Sequence, residues 1–113
     1  MNKLLMVFAA SMLLGDVAMA DTGLYLTGGK PVVYQCEGGK KITAHYYNLS
    51  DSSLGLVKFH WEGQDYTLPS AVSGSGARYS DYFTAEWWER GGVATLDLNI
   101  TDKQSKTVEC NEV

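Results

Sequence analysis

His60, Ser75 and Asp81 are the residue types of a nucleophilic triad. Ser75 lacks the Gly-x-Ser-x-Gly elbow, and nothing around it reads as a strand-to-helix turn, so the three are expected to be separate strand and turn polar groups. Glu86 and Glu89 could suggest the paired carboxylates of a glycosidase. Three apart on an extended chain they point to opposite faces, which makes them solvated charges beside a hairpin turn. Trp61, Trp87 and Trp88 could form a sugar-stacking platform, but adjacent tryptophans on a strand face opposite ways. One of the last two is therefore expected in the core and the other at the surface. No enzymatic constellation survives, and the chain is expected not to be an enzyme and to need no cofactor.

Ser73-Gly74-Ser75-Gly76-Ala77-Arg78-Tyr79 and the nearby Arg90-Gly91-Gly92 are of another kind. Glycine permits a tight or left-handed path and lets backbone approach a partner closely, while an aromatic at the end of the loop can fix its base. A plain hairpin does not require this composition over seven residues, so the segment reads equally as a recognition loop or a long turn.

The elements that must position these loops are short β runs with glycine-containing turns. Pro31 to Cys36 and Lys41 to Tyr47 flank Glu37-Gly38-Gly39-Lys40, and Leu54 to Trp61 and Gln64 to Leu68 flank Glu62-Gly63. Tyr82 to Trp88 and Gly92 to Ile100 flank Glu89-Arg90-Gly91, and Lys106 to Cys110 closes the chain. Ala94, Leu96, Leu98 and Ile100 fall on one face, the alternation of a half-buried strand, and no sustained helical stripe follows residue 20. The reading is all-β, a small antiparallel barrel in preference to a sandwich, filled by Tyr34, Leu56, Phe59, Leu68, Tyr82, Trp87 and Leu96.

The first 20 residues read as a secretory signal peptide: Lys3, an apolar run from Leu4 to Leu14 broken only by Ser11, and a small-x-small site at Ala18-Met19-Ala20. The run is far shorter than the roughly 20 residues a membrane span requires. Cleavage after Ala20 leaves residues 21–113 as one domain of net charge −4, mildly acidic and unsuited to nucleic acid. With no cysteine at the cleavage site, a soluble periplasmic product without a membrane anchor is expected. Cys36 and Cys110, the only cysteines, are expected to pair; closing that loop is worth roughly 4 kcal/mol. A metal site is not expected, since neither cysteine stands in a C-x-x-C pair and only His45 and His60 could complete one. Two glycosylation-like sequons, at Asn48 and Asn99, carry no weight.

In order along the chain, Tyr34-x-Cys36, Ala44-x-Tyr46-Tyr47-Asn48, Tyr66-x-Leu68, Ser75-Gly76-Ala77-Arg78-Tyr79, an aromatic with a basic residue and glycine, and Cys110 resemble the bacterial inhibitors of c-type lysozyme. The most specific element is S-G-x-x-Y at Ser75, Gly76 and Tyr79. The resemblance implies a barrel of about eight strands that inserts two loops into the lysozyme cleft. It implies that Ser75 is one inserted residue, supported by Gly76 and Tyr79, and that Arg90 takes the place of a family lysine. It implies a basic partner, which the −4 charge suits. The alternative is a periplasmic binding or envelope-assembly module on the same barrel; on either reading the protein is expected as a monomer or a homodimer.

Overall fold

The computed structural model describes residues 23–102 and 104–113. The expected leader, cleavage site and start at Asp21 lie outside the described residues.

Eight antiparallel strands close into a barrel in sequence order. They are β1 (Leu26–Cys36), β2 (Lys41–Leu49), β3 (Gly55–Trp61), β4 (Gln64–Ala71), β5 (Ala77–Ser80), β6 (Ala85–Arg90), β7 (Val93–Leu98) and β8 (Lys106–Glu112). β1 pairs with β8 through Tyr34, Gln35 and Cys36, so no sheet edge is left at the seam. Cys36 and Cys110 face each other across that pairing and form the expected disulfide.

Alternation decides the core. Val57, Phe59 and Trp61 are buried, as are Ala94, Leu96 and Leu98, while their strand neighbours point outward. Tyr34, Phe59, Leu68, Trp87 and Leu96 fill the interior as expected. Their aromatic rings pack directly: Tyr34 meets Trp87 edge-on at 5.1 Å and Phe59 lies 5.0 Å from Trp87 between centroids. Tyr46 hydroxyl accepts Trp87 Nε1–H at 2.8 Å and shares a 2.8 Å hydrogen bond with Tyr34 hydroxyl, so the polar tips of three core aromatics satisfy one another. Burial pushes both tyrosine pKa values up, keeping the pair neutral.

Five sequence expectations need correction. β7 ends at Leu98, so Ile100, read on the core face of that strand, lies in the turn beyond it and is only half-buried. Leu56 is only half-buried, because the pleat that turns Val57 inward turns Leu56 out. Tyr82 is 56% exposed, because β6 begins at Ala85 and residues 81–84 form a turn in which Tyr82 has φ 64°. Ala77 to Tyr79, read as the end of the loop, belong to the strand Ala77–Ser80, leaving Val72 to Gly76 as the loop proper. β1 starts at Leu26 rather than Pro31, since Gly28 and Gly29 sit where the register with β2 shifts, at a β-bulge that lets pairing continue to Leu49.

Candidate functional site

An up-and-down barrel sends alternate connections to opposite ends. The β1–β2, β3–β4, β5–β6 and β7–β8 connections share one end; the β2–β3, β4–β5 and β6–β7 connections share the other with both chain termini. Ser75 lies in the β4–β5 loop and Arg90 at the last residue of β6. Because β5 pairs with β6, with Ala77 opposite Glu89, the two loops lie side by side.

Gly76 sets the spacing. It has φ 69°, and a Cβ there would stand 2.2 Å from Arg90 Cγ and 2.4 Å from Glu89 carbonyl oxygen. No side chain fits, so backbone of one loop rests on the arginine stem of the other. The β6–β7 turn is the two-residue Gly91-Gly92, both with positive φ, as a tight hairpin with right-handed twist demands. Glu89 Oε2 accepts Gly92 N–H at 2.8 Å and fixes that turn.

Trp88 joins the two loops. Its Nε1–H donates to Ser75 carbonyl oxygen at 2.8 Å, and Arg90 guanidinium stacks over its ring at 4.3 Å. Arg78, opposite Trp88 across the β5–β6 pair, lies 5.6 Å from the same ring. Arg78 also donates to Val72 carbonyl oxygen at 2.8 Å and pairs with Glu86 at 3.0 Å, where both side chains are mostly buried. Ser73 hydroxyl bonds within the loop to Ser75 carbonyl oxygen and accepts Ser75 N–H. Ser75 backbone is thus held at both polar atoms, while its hydroxyl is exposed and makes no hydrogen bond among the described residues. Arg90 is likewise exposed and joins no ion pair among the described residues.

Tyr79 plays a different part from the other three named residues. It is half-buried, packs on the core and lies 5.6 Å from the Tyr46 ring, with burial and then Glu89 raising its pKa. It holds the base of the loop. Trp88 and Arg78 are the residues sequence reasoning left without a role. Their signal was an aromatic two positions before Arg90, and an arginine inside the S-G-x-x-Y motif.

The triad residues are not brought together. His60 Nδ1 bonds Asp65 at 2.8 Å on the outer wall, Asp81 serves the β5–β6 turn, and Ser75 is at the opposite end. Glu86 and Glu89 do point apart, but they are not the solvated charges expected: both are partly buried and committed, Glu86 to Arg78 and Glu89 to Gly92 N–H, because paired strands on either side cover them. Trp87 is fully buried and Trp88 is at the surface, as adjacency on a strand requires, but Trp61 is buried and no platform forms.

The model of the family described as membrane-bound lysozyme-inhibitor of c-type lysozyme matches residues 34–105. The chain belongs to this family. Relatives with the same name come from Cupriavidus necator, 39% identical over 67 residues covering 59% of this chain and 51% of the relative, and from Pseudomonas aeruginosa, 36% identical over 69 residues with the same coverage. One from Yersinia enterocolitica is 32% identical over 99 residues, 80% of this chain and 75% of the relative. The chain spans about half the length of the first two relatives. The crystal structure of Pseudomonas aeruginosa MliC in complex with hen egg white lysozyme superposes with TM-score 0.64 at 27% identity, over 80% of this chain and 87% of that one. The family match includes both loops and Cys36, and stops before β8.

Proposed function

We propose that this chain inhibits c-type lysozyme by placing the β4–β5 and β6–β7 loops in the enzyme's substrate cleft, with Ser75 hydroxyl and Arg90 guanidinium as the entering groups. The observation that carries this reading is the packing of Gly76 against Arg90, which presents one unpaired hydroxyl and one unpaired cation from adjacent loops. A retaining glycosidase holds a carboxylic acid and a carboxylate about 5 Å apart around the scissile bond. A hydroxyl and a cation delivered there satisfy both and exclude the sugar, so inhibition needs no chemistry by the inhibitor.

The ordering of both loops before binding supports the same reading. Stacking on Trp88 restricts the arginine side chain in advance, which lowers the entropy lost when it is buried in a partner. Arginine at the family's lysine position also has a local reason, because a planar guanidinium can lie flat on an indole where an ammonium cannot. The protein acts, in this reading, as an exported soluble inhibitor in the periplasm that protects peptidoglycan.

The test is lysis of cell-wall substrate by lysozyme with and without the purified protein. Inhibition by the parent and its loss in Ser75→Ala/Arg90→Ala, with unchanged unfolding curves, is the expected result. Equal inhibition by the double variant would remove the two-loop insertion. A parent that neither inhibits nor binds lysozyme would favour the binding-module alternative.

A further inference from the structure

Besides Ser75 and Arg90, the loop-bearing end carries most of the exposed large apolar side chains among the described residues. Leu24, Tyr25 and Leu26 stand at the entry of β1, Leu54 before β3, Val72 after β4, Val93 at the start of β7 and Val113 at the end of the chain. Only Tyr82 and Phe83 lie at the other end. Single exposed apolar residues are ordinary on any protein, but the gathering of seven of nine at one end is not.

Part of this rim is continuous with the Ser75 loop. Tyr25 carbonyl oxygen accepts Ser50 N–H at 2.7 Å, clipping the entry of β1 onto the β2–β3 turn that carries Leu54. Gly55 N–H donates to Ser70 hydroxyl at 3.3 Å, which sets that turn beside the end of β4. Val72 follows two residues later, 89% exposed, with its carbonyl held by Arg78 so that the backbone is fixed while the side chain stays in water.

We propose that Tyr25, Leu54 and Val72 form a second contact surface for lysozyme, seated on the enzyme beside the cleft that the two loops enter. This rests on the reading above. Area supports it: a stable protein pair buries roughly 800 Å2 on each partner, and two side chains with their loop backbone fall well short of that. Val72 and Ser75 stand three residues apart on the same loop, at the same end of the barrel. Charge selects the partner. Asp51, Glu89 and Glu112 stand at this end with Arg78, which is paired to Glu86, and Arg90, which stands on the entering loop; the remaining excess of carboxylates suits a basic enzyme and opposes an anionic lipid surface or a second copy of the same end.

The experiment measures Kd for hen egg white lysozyme by calorimetry, using the whole exported chain, with Val72→Asp, Tyr25→Ser/Leu54→Ser and, at the opposite end, Phe83→Ser. All four positions are exposed, so folding is checked by unfolding curves and Val72→Leu serves as the conservative control. The expected result is a loss of about tenfold or more in affinity for the first two variants, and parental affinity for Phe83→Ser and Val72→Leu. Parental binding by both rim variants, while Arg90→Ala still loses affinity, would overturn the rim contact and leave the two-loop reading standing. Absence of binding by the parent itself would overturn both. Self-association of the free protein abolished by Val72→Asp would assign the rim to a second copy instead.

Discussion

The two connections that flank β5 are held by opposite strategies. Residues 81–84, leading into β6, are secured from within: Asp81 carboxylate accepts the N–H groups of Phe83, Thr84 and Ala85 at 2.8 to 3.2 Å and the Thr84 hydroxyl. Every strong acceptor is used on the turn itself, which stabilises the end of the barrel and leaves little to offer a partner. Residues 72–76, leading into β5, are secured from outside by Trp88 and Arg78 on neighbouring strands, with help from Ser73. That arrangement spends backbone groups and spares the Ser75 hydroxyl and the Arg90 head. A loop built for recognition must be rigid without consuming the groups that recognise, and borrowing its support from adjacent strands achieves this.

If this division is right, variants at the capped end should move stability and variants at the open end should move inhibition. The largest effect should come from Cys36→Ser/Cys110→Ser, with Cys36 at the mouth of the β1–β2 connection: a loss of about 4 kcal/mol in urea unfolding, with the folded fraction still inhibiting. Next is Arg90→Ala, which on the proposed two-loop insertion removes a cation facing a desolvated carboxylate and should weaken inhibition by about 2 to 5 kcal/mol with unchanged melting. Arg90→Lys should recover part of this but lose the stack on Trp88. Ser75→Ala should cost less, about 1 to 3 kcal/mol in inhibition, since only a hydroxyl hydrogen bond is lost. A Ser75→Ala effect larger than that of Arg90→Ala would reverse the ranking of the two loops.

The smallest effect is a pH dependence. Burial raises the Asp81 pKa, but hydrogen bonds from Thr84 hydroxyl and from the Phe83, Thr84 and Ala85 amides outweigh it and bring the group from an ordinary 3.8 down to about 2. A carboxyl with a lower pKa in the folded state contributes its stability above the unfolded value and loses it as pH falls toward the folded one. Stability should therefore drop between about pH 4 and 2 by on the order of 1 kcal/mol, after allowing for solvent screening, and Asp81→Asn should flatten that part of the profile. An Asp81→Asn variant that melts like the parent but inhibits poorly would break the division between the two connections.

Much of the fold was legible in residue order. Trp87 and Leu96 are core because each lies on the alternating apolar face of its strand, and the pairing of Cys36 with Cys110 followed from their being the only two cysteines of a chain read as exported. Tyr82 misled because a tyrosine beside an apolar run looks like strand, whereas the carboxylate of Asp81 holds it in a left-handed turn. β5 was hidden for the opposite reason: four residues after a glycine-rich stretch pair only because β4 and β6 are already in place on either side.

The sequence by itself determined the strand alternation, the disulfide and the residue types at Ser75, Gly76 and Arg90, because these depend on local periodicity, turn chemistry and composition. Only the tertiary structure decided that Gly76 rests on the Arg90 stem, that Trp88 holds Ser75 backbone and Arg90 guanidinium together, and that the apolar rim gathers at the same end. Apart from the stack of Arg90 on Trp88, those relations join residues 13 or more positions apart, such as Ser75 with Trp88 and Tyr25 with Ser50. Closure and register of the barrel bring them within contact distance, and neither can be read from any single strand.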